Sequence, residues 1–135
     1  MSLPSSDPGS PAVERPDLMR TVSRVRPYTM LPDDFLVHLA RQVEAVLAYD
    51  IPGDFVECGV WRGGAAFLIA DILRATGASD RRVWLFDSFE GLPPPEEIDG
   101  PAALAWAAET ESAGYHDNAR VRPEEVREAA SQLGR

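Results

Sequence analysis

The sequence is poor in cysteine and in long apolar stretches. Cys58 is the only cysteine among 135 residues, so no disulfide can form within the chain. No stretch approaches the ~18 consecutive apolar residues of a membrane-spanning helix, and the first residues lack the apolar segment of a secretory signal. These absences predict a cytoplasmic protein that is neither secreted nor inserted in a membrane.

Basic residues are scarce as well. Thirteen arginines and no lysine stand against 22 acidic residues, which leaves a net charge of -9. Affinity for nucleic acid comes mainly from basic side chains that displace counterions from phosphates, so this balance argues against a nucleic-acid partner. A small neutral or cationic molecule is a better match for an acidic protein.

Prolines and periodic apolar residues divide the chain into two parts. Residues 1–27 combine five prolines with serines and charges, and this composition predicts a flexible N-terminal arm. Residues 28–135 would form the domain. Apolar residues at helical spacing predict a first helix over about 32–49, which Pro52 and Gly53 end.

The centre of the chain predicts one βαβ unit. Short apolar and β-branched residues over 54–60 indicate a strand. Apolar residues at helical spacing over 65–73 predict a helix that has Asp71 on its polar side and stops at Gly77. The apolar run Val83-Trp84-Leu85-Phe86 is typical of a parallel strand covered on both faces.

The remainder of the chain predicts helices near 101–113 and 123–133 but no third strand. A two-stranded parallel sheet leaves both of its edges unpaired, and doubly wound domains normally contain more strands. The sequence therefore predicts an incomplete α/β domain. Its uncovered surfaces predict marginal stability or self-association into a homo-oligomer.

Chemistry-bearing residues cluster at the ends of the two predicted strands, where parallel sheets bind their ligands. Gly59 permits a tight turn, and Gly63 with the next glycine starts a helix whose amides can hold an anionic group. Glu57 is placed to hold an ammonium group. Asp87 ends the second strand and can accept hydrogen bonds from two ribose hydroxyls. This pattern favours a nucleotide-type ligand that also carries amino-acid charges.

Several nearby residues have structural explanations instead. Cys58 is expected to be a small buried strand residue, since no histidine lies within local reach to activate it. Trp61 and Arg62 suit packing and a surface ion pair as well as ligand contact. His38 and His116 fall at polar positions, so we expect both to be solvated and not catalytic.

Two runs of sequence resemble one family of enzymes. They are PGDFVECGVWRGGA over residues 52–65 and RVWLFDSFEGLP over residues 82–93. The lead-in Tyr28-Thr29-Met30 and the segment 124–127 are similar as well. Together they resemble the macrocin O-methyltransferase family, bacterial sugar O-methyltransferases of antibiotic biosynthesis, over most of the chain from residue 27 onward.

The resemblance implies a Rossmann-like class I methyltransferase fold of which only the N-terminal half is present. It also implies S-adenosylmethionine as cofactor, a divalent metal such as Mg²⁺ in complete members, and a sugar-containing small molecule as substrate. The positions implied near the cofactor are Thr29, Met30, Glu57, Gly59, Val60, Gly63, Asp87 and Ser88.

The family's base and metal ligands follow a third strand. No catalytic or metal-binding residue is therefore assigned in this chain, and we expect the chain to be inactive alone. Two alternatives remain open. An NAD-dependent dehydrogenase would need glycine where this sequence has Trp61, and the acidic, alanine-rich tail suits a non-catalytic cofactor-binding or interaction remnant.

Overall fold

The computed structural model describes residues 17–78, 80–110 and 117–134. Within these ranges the chain forms two short strands and five α-helices. In order they are α1 (Leu18–Val25), α2 (Asp33–Ala48), β1 (Phe55–Cys58), α3 (Gly64–Ala75), β2 (Val83–Phe86), α4 (Pro101–Ala108) and α5 (Pro123–Gln132). Single turns of 3-10 helix occur at Arg26–Tyr28, Glu97–Asp99 and Asp117–Ala119. In this part of the chain no helix is long and apolar enough to cross a membrane.

The two strands form one parallel pair around the helical crossover α3. Phe55 lies opposite Val83, and the register continues to Cys58 opposite Phe86. Both strands alternate between half-buried and exposed residues. The half-buried set faces the helices, so the sheet has one covered face, where the sequence predicted cover on both faces.

Helix α3 lies at the centre of the hydrophobic core. Nine of its 12 residues are buried, because the sheet covers one side while α1 and α2 cover others. Leu36 and Val43 of α2 and Val25 of α1 are among the fully or almost fully buried side chains that complete this core. Because α3 follows β1 and the two strands are parallel, the N-terminus of α3 lies at the carboxyl ends of both strands.

The prediction that Asp71 lies on a solvent-facing side of α3 is wrong. Asp71 is 5% exposed, because α1 packs against that side of the helix. Its Oδ1 atom accepts a hydrogen bond from Arg74 at 3.0 Å, and Arg24 of α1 lies 3.9 Å from its Oδ2 atom. The periodicity placed Asp71 on the polar side of the helix, but its carboxylate is buried. Arg24 of α1 and Arg74 of α3 lie next to the carboxylate and offset the cost of burying its charge.

The prediction of a flexible arm is wrong for the part of residues 1–27 that forms α1. The Asp17 side chain caps this helix by accepting a hydrogen bond from the Arg20 amide at 3.4 Å. Thr21, Val22 and Val25 are buried against the rest of the domain. The prolines suggested an irregular segment, yet Pro27 lies beyond the end of the helix at Val25. The preceding residues, 1–16, lie outside the described ranges.

The other boundaries differ by a few residues. Strand β1 is shorter than the predicted range 54–60, because the left-handed backbone of Gly59 turns the chain away from the ladder. Helix α4 ends at Ala108 and not near residue 113, and residues 111–116 lie outside the described ranges. Helices α2 and α5 begin and end within one residue of the predicted limits.

Candidate functional site at the carboxyl ends of the strands

The turn between β1 and α3 brings the backbone to the open end of the sheet. Gly59 has φ +86° and Gly63 has φ +88°, a region that glycine adopts without strain. Trp61, between them, has φ 49°, which is uncommon for a large side chain. A Cβ atom at Gly59 would meet no atom within 4 Å, so the backbone here is open to an approaching ligand.

Asp87 holds this turn from the end of β2. Its Oδ2 atom accepts hydrogen bonds from the amides of Val60 at 2.6 Å and Trp61 at 3.1 Å. Its Oδ1 atom accepts one from the Phe89 amide at 2.7 Å. Desolvation raises the pKa of Asp87, but the amides of Phe89, Val60 and Trp61 outweigh it and hold the pKa below its ordinary value. Asp87 is therefore a charged anchor for both loops.

Glu57 lies on the helix-facing side of β1, below the first turn of α3. Its Oε2 atom is buried and has no hydrogen-bond partner. Burial raises the pKa of Glu57 to about 7; the Ala66 amide opposes this rise and the charge of Asp87 adds to it. A buried carboxylate oxygen without a partner is costly, so this side chain suits a cationic or hydrogen-donating ligand.

The start of α3 is packed closely against the segment before α2. A Cβ atom at Gly64 would lie 2.7 Å from both the Thr29 Cβ atom and the Tyr28 carbonyl oxygen. The Tyr28 ring meets the Phe67 ring edge to face at 5.9 Å. Gly64 is thus required by packing, and this contact places Thr29 beside the helix N-terminus.

The other predicted positions surround this centre. Thr29 Oγ1 accepts a hydrogen bond from the Leu31 amide at 3.1 Å, while Met30 between them is 50% exposed. Ser88 follows Asp87, and its Oγ atom accepts a hydrogen bond from the Glu90 amide at 3.2 Å. The fold therefore brings Glu57 and Asp87 together with the turn glycines, and it places Thr29 next to them.

A second set of residues fixes the loop after β2, and sequence reasoning missed it. The Leu92 amide donates to the Asn118 carbonyl oxygen at 2.8 Å, and the Asn118 side-chain amide donates to the Leu92 carbonyl oxygen. Arg120 Nε donates to the Glu90 carbonyl oxygen at 3.3 Å. An open cavity of about 770 Å³ lies along this loop and includes Ser88 in its lining. Asn118, a residue that tolerates left-handed backbone, was the available sequence signal.

Cys58 was predicted to be buried, and this prediction is wrong. Cys58 is exposed, because it lies on the uncovered face of the sheet. The Arg62 guanidinium stacks over the Trp61 ring at 4.8 Å, so these two residues contact each other. His38 is exposed on α2 as predicted, whereas His116 lies outside the described ranges.

Parallel strands, a helical crossover and a site at the strand ends define a Rossmann-like α/β domain. Among solved structures the chain is similar to the O-methyltransferase NovP, with a TM-score of 0.62 and 40% sequence identity. The match covers 78% of this chain and 42% of the NovP chain. The fold is therefore part of a Rossmann-like methyltransferase fold, which confirms the predicted fold class.

The family model for macrocin-O-methyltransferase (TylF) matches residues 15–134. The chain belongs to the macrocin-O-methyltransferase family, as the two motifs predicted. The matched range includes α1, which agrees with the structural role of that helix in the core.

Curated relatives match the chain over its central part. The 8-demethyl-8-(2,3-dimethoxy-alpha-L-rhamnosyl)-tetracenomycin-C 4'-O-methyltransferase of Streptomyces olivaceus is 52% identical over 49% of this chain and 25% of its own length. The demethyldecarbamoylnovobiocin O-methyltransferase of Streptomyces niveus is 48% identical, again over 49% of this chain and 25% of its own length. The mycinamicin III 3''-O-methyltransferase of Micromonospora griseorubida is 43% identical over 55% and 29%. The chain thus spans about a quarter of the length of the curated relatives it matches.

Proposed function

We propose that this chain provides the S-adenosylmethionine-binding part of an O-methyltransferase that acts on a sugar hydroxyl of a natural product. The family membership and the names of three antibiotic-pathway relatives support methyl transfer to oxygen. Because those relatives are much longer, the reaction belongs to a larger assembly of strands than the one described here. The contribution of this chain is cofactor binding.

Glu57 is the observation that carries the proposal. A half-buried carboxylate with an unpartnered buried oxygen and a pKa of about 7 is an unfavourable arrangement in the absence of a ligand. The ammonium group of S-adenosylmethionine would supply the missing hydrogen bond and the opposite charge. The bound cation would also lower the pKa of Glu57 and keep it ionised.

The N-terminus of α3 suits the other charge of the same amino-acid group. No side chain caps this helix, and its first residues, Gly64 and Ala65, have amides without partners inside the helix. These amides and the helix dipole favour an anion such as the methionine carboxylate. Gly59 allows the backbone to pass close to it, because a Cβ atom there would meet no atom within 4 Å, whereas the Cβ position of Gly63 faces the Phe67 ring.

Asp87 is suited to the ribose. The amides of Val60, Trp61 and Phe89 donate to its two oxygens, and the Ser88 amide also lowers its pKa, so a ribose hydroxyl would share an oxygen with these amides. Val60 and Ser88 lie on either side of this acid in the two loops. Thr29 and Met30 would border the cofactor from the segment ahead of α2.

The chemistry that the cofactor supplies is an activated methyl group on a sulfonium centre. The residues of this chain bind and orient it: Glu57 and the start of α3 hold the amino-acid end, and Asp87 holds the ribose. In the described ranges no three histidine, cysteine or acidic side chains form a group that could ligate a metal. We therefore assign neither a metal ligand nor a general base here.

Calorimetric titration of the full chain tests the proposal. We expect S-adenosylmethionine and S-adenosylhomocysteine to bind, because both carry the amino-acid group, and NAD not to bind. Glu57→Gln should weaken binding about tenfold or more, while Glu44→Gln on the exposed side of α2 should leave it unchanged. Selective NAD binding would favour the dehydrogenase, and no binding of any of these ligands would favour the non-catalytic interaction remnant.

A further inference from the structure

The segment that precedes α2 is tied to α5 by a long-range hydrogen bond. The Tyr28 hydroxyl donates to Gln132 Oε1 at 3.0 Å, across 104 positions of sequence. The end of α5 is held in place, because Ala129 is buried in the core and the Leu133 carbonyl oxygen accepts a hydrogen bond from Arg24 at 3.1 Å. Helix α5 therefore offers Tyr28 an acceptor in a fixed position.

The ring and the backbone of Tyr28 contact the start of α3. The ring meets the Phe67 ring at a centroid distance of 5.9 Å, with the two planes 82° apart. The Phe67 ring in turn lies 2.7 Å from the position that a Cβ atom of Gly63 would take, and the Tyr28 carbonyl oxygen lies 2.7 Å from the same position at Gly64. Edge-to-face ring contacts tolerate a range of orientations, so the bond to α5 is what fixes the direction of the Tyr28 side chain.

Thr29 follows Tyr28 directly and lies beside the N-terminus of α3. Its Cβ atom is 2.7 Å from the Cβ position of Gly64. The Arg26 guanidinium donates to the carbonyl oxygens of both Thr29 and Leu31, so the backbone of this segment is held as one turn. Because the turn is held together, a displacement of Tyr28 would also displace Thr29 at the start of α3.

An open cavity of about 300 Å³ lies beside the bond between Tyr28 and Gln132. Its lining includes these two residues together with Arg62 and Glu125. Close packing therefore does not hold the Tyr28 side chain on this side, and the hydroxyl is free to move away from α5 once the hydrogen bond is removed. The bond itself, and not van der Waals contact, determines where the hydroxyl lies.

We infer that Tyr28 is a positioning residue for the amino-acid end of the cofactor and that Gln132 acts through it. The inference rests on the proposed function, which assigns this end of the cofactor to Glu57 and the start of α3. Tyr28 orders Thr29 and the first turn of α3 before the ligand arrives, and a preordered site loses less conformational entropy on binding. The ribose end, at Asp87, does not depend on this bond.

Calorimetry on the full chain and its variants tests the inference. Tyr28→Phe and Gln132→Leu each remove the hydrogen bond, so each should weaken S-adenosylhomocysteine binding about fivefold. Binding of methylthioadenosine, which lacks the amino-acid group, should stay the same. Gln132→Glu keeps an acceptor oxygen and should keep the affinity. The matched control is Tyr49→Phe, because Tyr49 is 81% exposed at the end of α2.

The double variant separates a shared role from two independent ones. If Gln132 acts through Tyr28, combining Tyr28→Phe with Gln132→Leu should again cost about fivefold and not about 25-fold. Additive losses, or equal losses for both ligands, would overturn the inference in favour of a general structural role. Unchanged S-adenosylhomocysteine affinity in the single variants would overturn it and leave the proposed function intact. No binding of S-adenosylhomocysteine to the unsubstituted chain would overturn both.

Discussion

The amide of Val60 donates to Asp87 Oδ2 at 2.6 Å and so connects the turn after β1 to the end of β2. The two residues are 27 positions apart in the sequence, and the parallel register of the strands brings them together. One carboxylate thus shapes the turn, and under the proposed function it would also accept a hydrogen bond from the ligand. The structural role of Asp87 and its proposed binding role would therefore overlap.

Asp87→Asn tests this double role. The substitution removes the charge and places an amide donor near backbone amides that need an acceptor, so we expect a lower melting temperature and at least tenfold weaker cofactor binding. Differential scanning fluorimetry and calorimetry measure the two effects. Asp80→Asn, at an exposed turn position, is the control and should change neither. Unchanged affinity in Asp87→Asn would contradict a ligand role for this acid.

Cofactor affinity should depend on pH through Glu57. With a pKa of about 7, the carboxylate is about one-tenth ionised at pH 6 and half ionised at pH 7, so affinity should rise about fivefold over that interval. Binding at pH 7 should also release about half a proton, which calorimetry in buffers of different ionisation enthalpy detects. Glu57→Gln should abolish both effects. A pH-independent affinity in the unsubstituted chain would rule out the ion pair with the ammonium group.

The sequence predicted where Glu57, Gly63 and Asp87 lie in the fold better than it predicted their surroundings. Glycines and acids at the ends of apolar runs indicate a ligand site directly, because their spacing along a βαβ unit determines where they meet. The positions of Glu57, Gly63 and Asp87 follow from local pattern alone. The family and the fold class were predicted from the same motifs and are confirmed by the comparisons.

The wrong or missing predictions concern burial and contacts, which depend on segments that are distant in the sequence. Asp71 is polar and occupies a helix position that periodicity assigns to solvent, but α1 covers it and Arg24 approaches its carboxylate. Cys58 is an apolar strand residue, yet it is exposed because the described structure covers only one face of the sheet. The Asn118 side chain donates a hydrogen bond to Leu92, which lies 26 positions away in the sequence, and no local pattern indicates this contact.

Gly64→Ala should destabilise the domain through steric overlap. The new methyl group would lie 2.7 Å from backbone and side-chain atoms of Tyr28 and Thr29, and relieving this overlap should cost about 1–3 kcal/mol. Urea denaturation measures the loss. Gly77→Ala is the comparison variant: it meets no atom within 4 Å, so only its φ of +74° opposes alanine, at a cost of about 1 kcal/mol. Equal effects of the two changes would exclude the close approach at Gly64.

Ala119→Gly should stabilise the chain slightly. Ala119 has φ 60°, a left-handed conformation that costs a residue with a Cβ atom ~1–2 kcal/mol. Glycine removes this strain but has more entropy in the unfolded chain, so we expect a net gain of about 0.5 kcal/mol. Ala130→Gly within α5 should instead lose about 1 kcal/mol. Destabilisation by Ala119→Gly in urea titrations would show that the turn is not strained.

Glu57→Gln should stabilise the ligand-free chain at pH 8 while it weakens cofactor binding. The folded state raises the pKa of Glu57 from 4.5 to about 7, so it retains a proton that the unfolded chain releases between these values. Stability from this group is therefore fully present below about pH 4.5 and is lost as the pH rises through about 7. Glutamine stays neutral, so its advantage in melting temperature should be near zero at pH 4.5 and largest at pH 8. An acid retained at a cost in stability is expected where a ligand needs its charge, and a variant that is less stable at pH 8 would indicate a structural role for Glu57 instead.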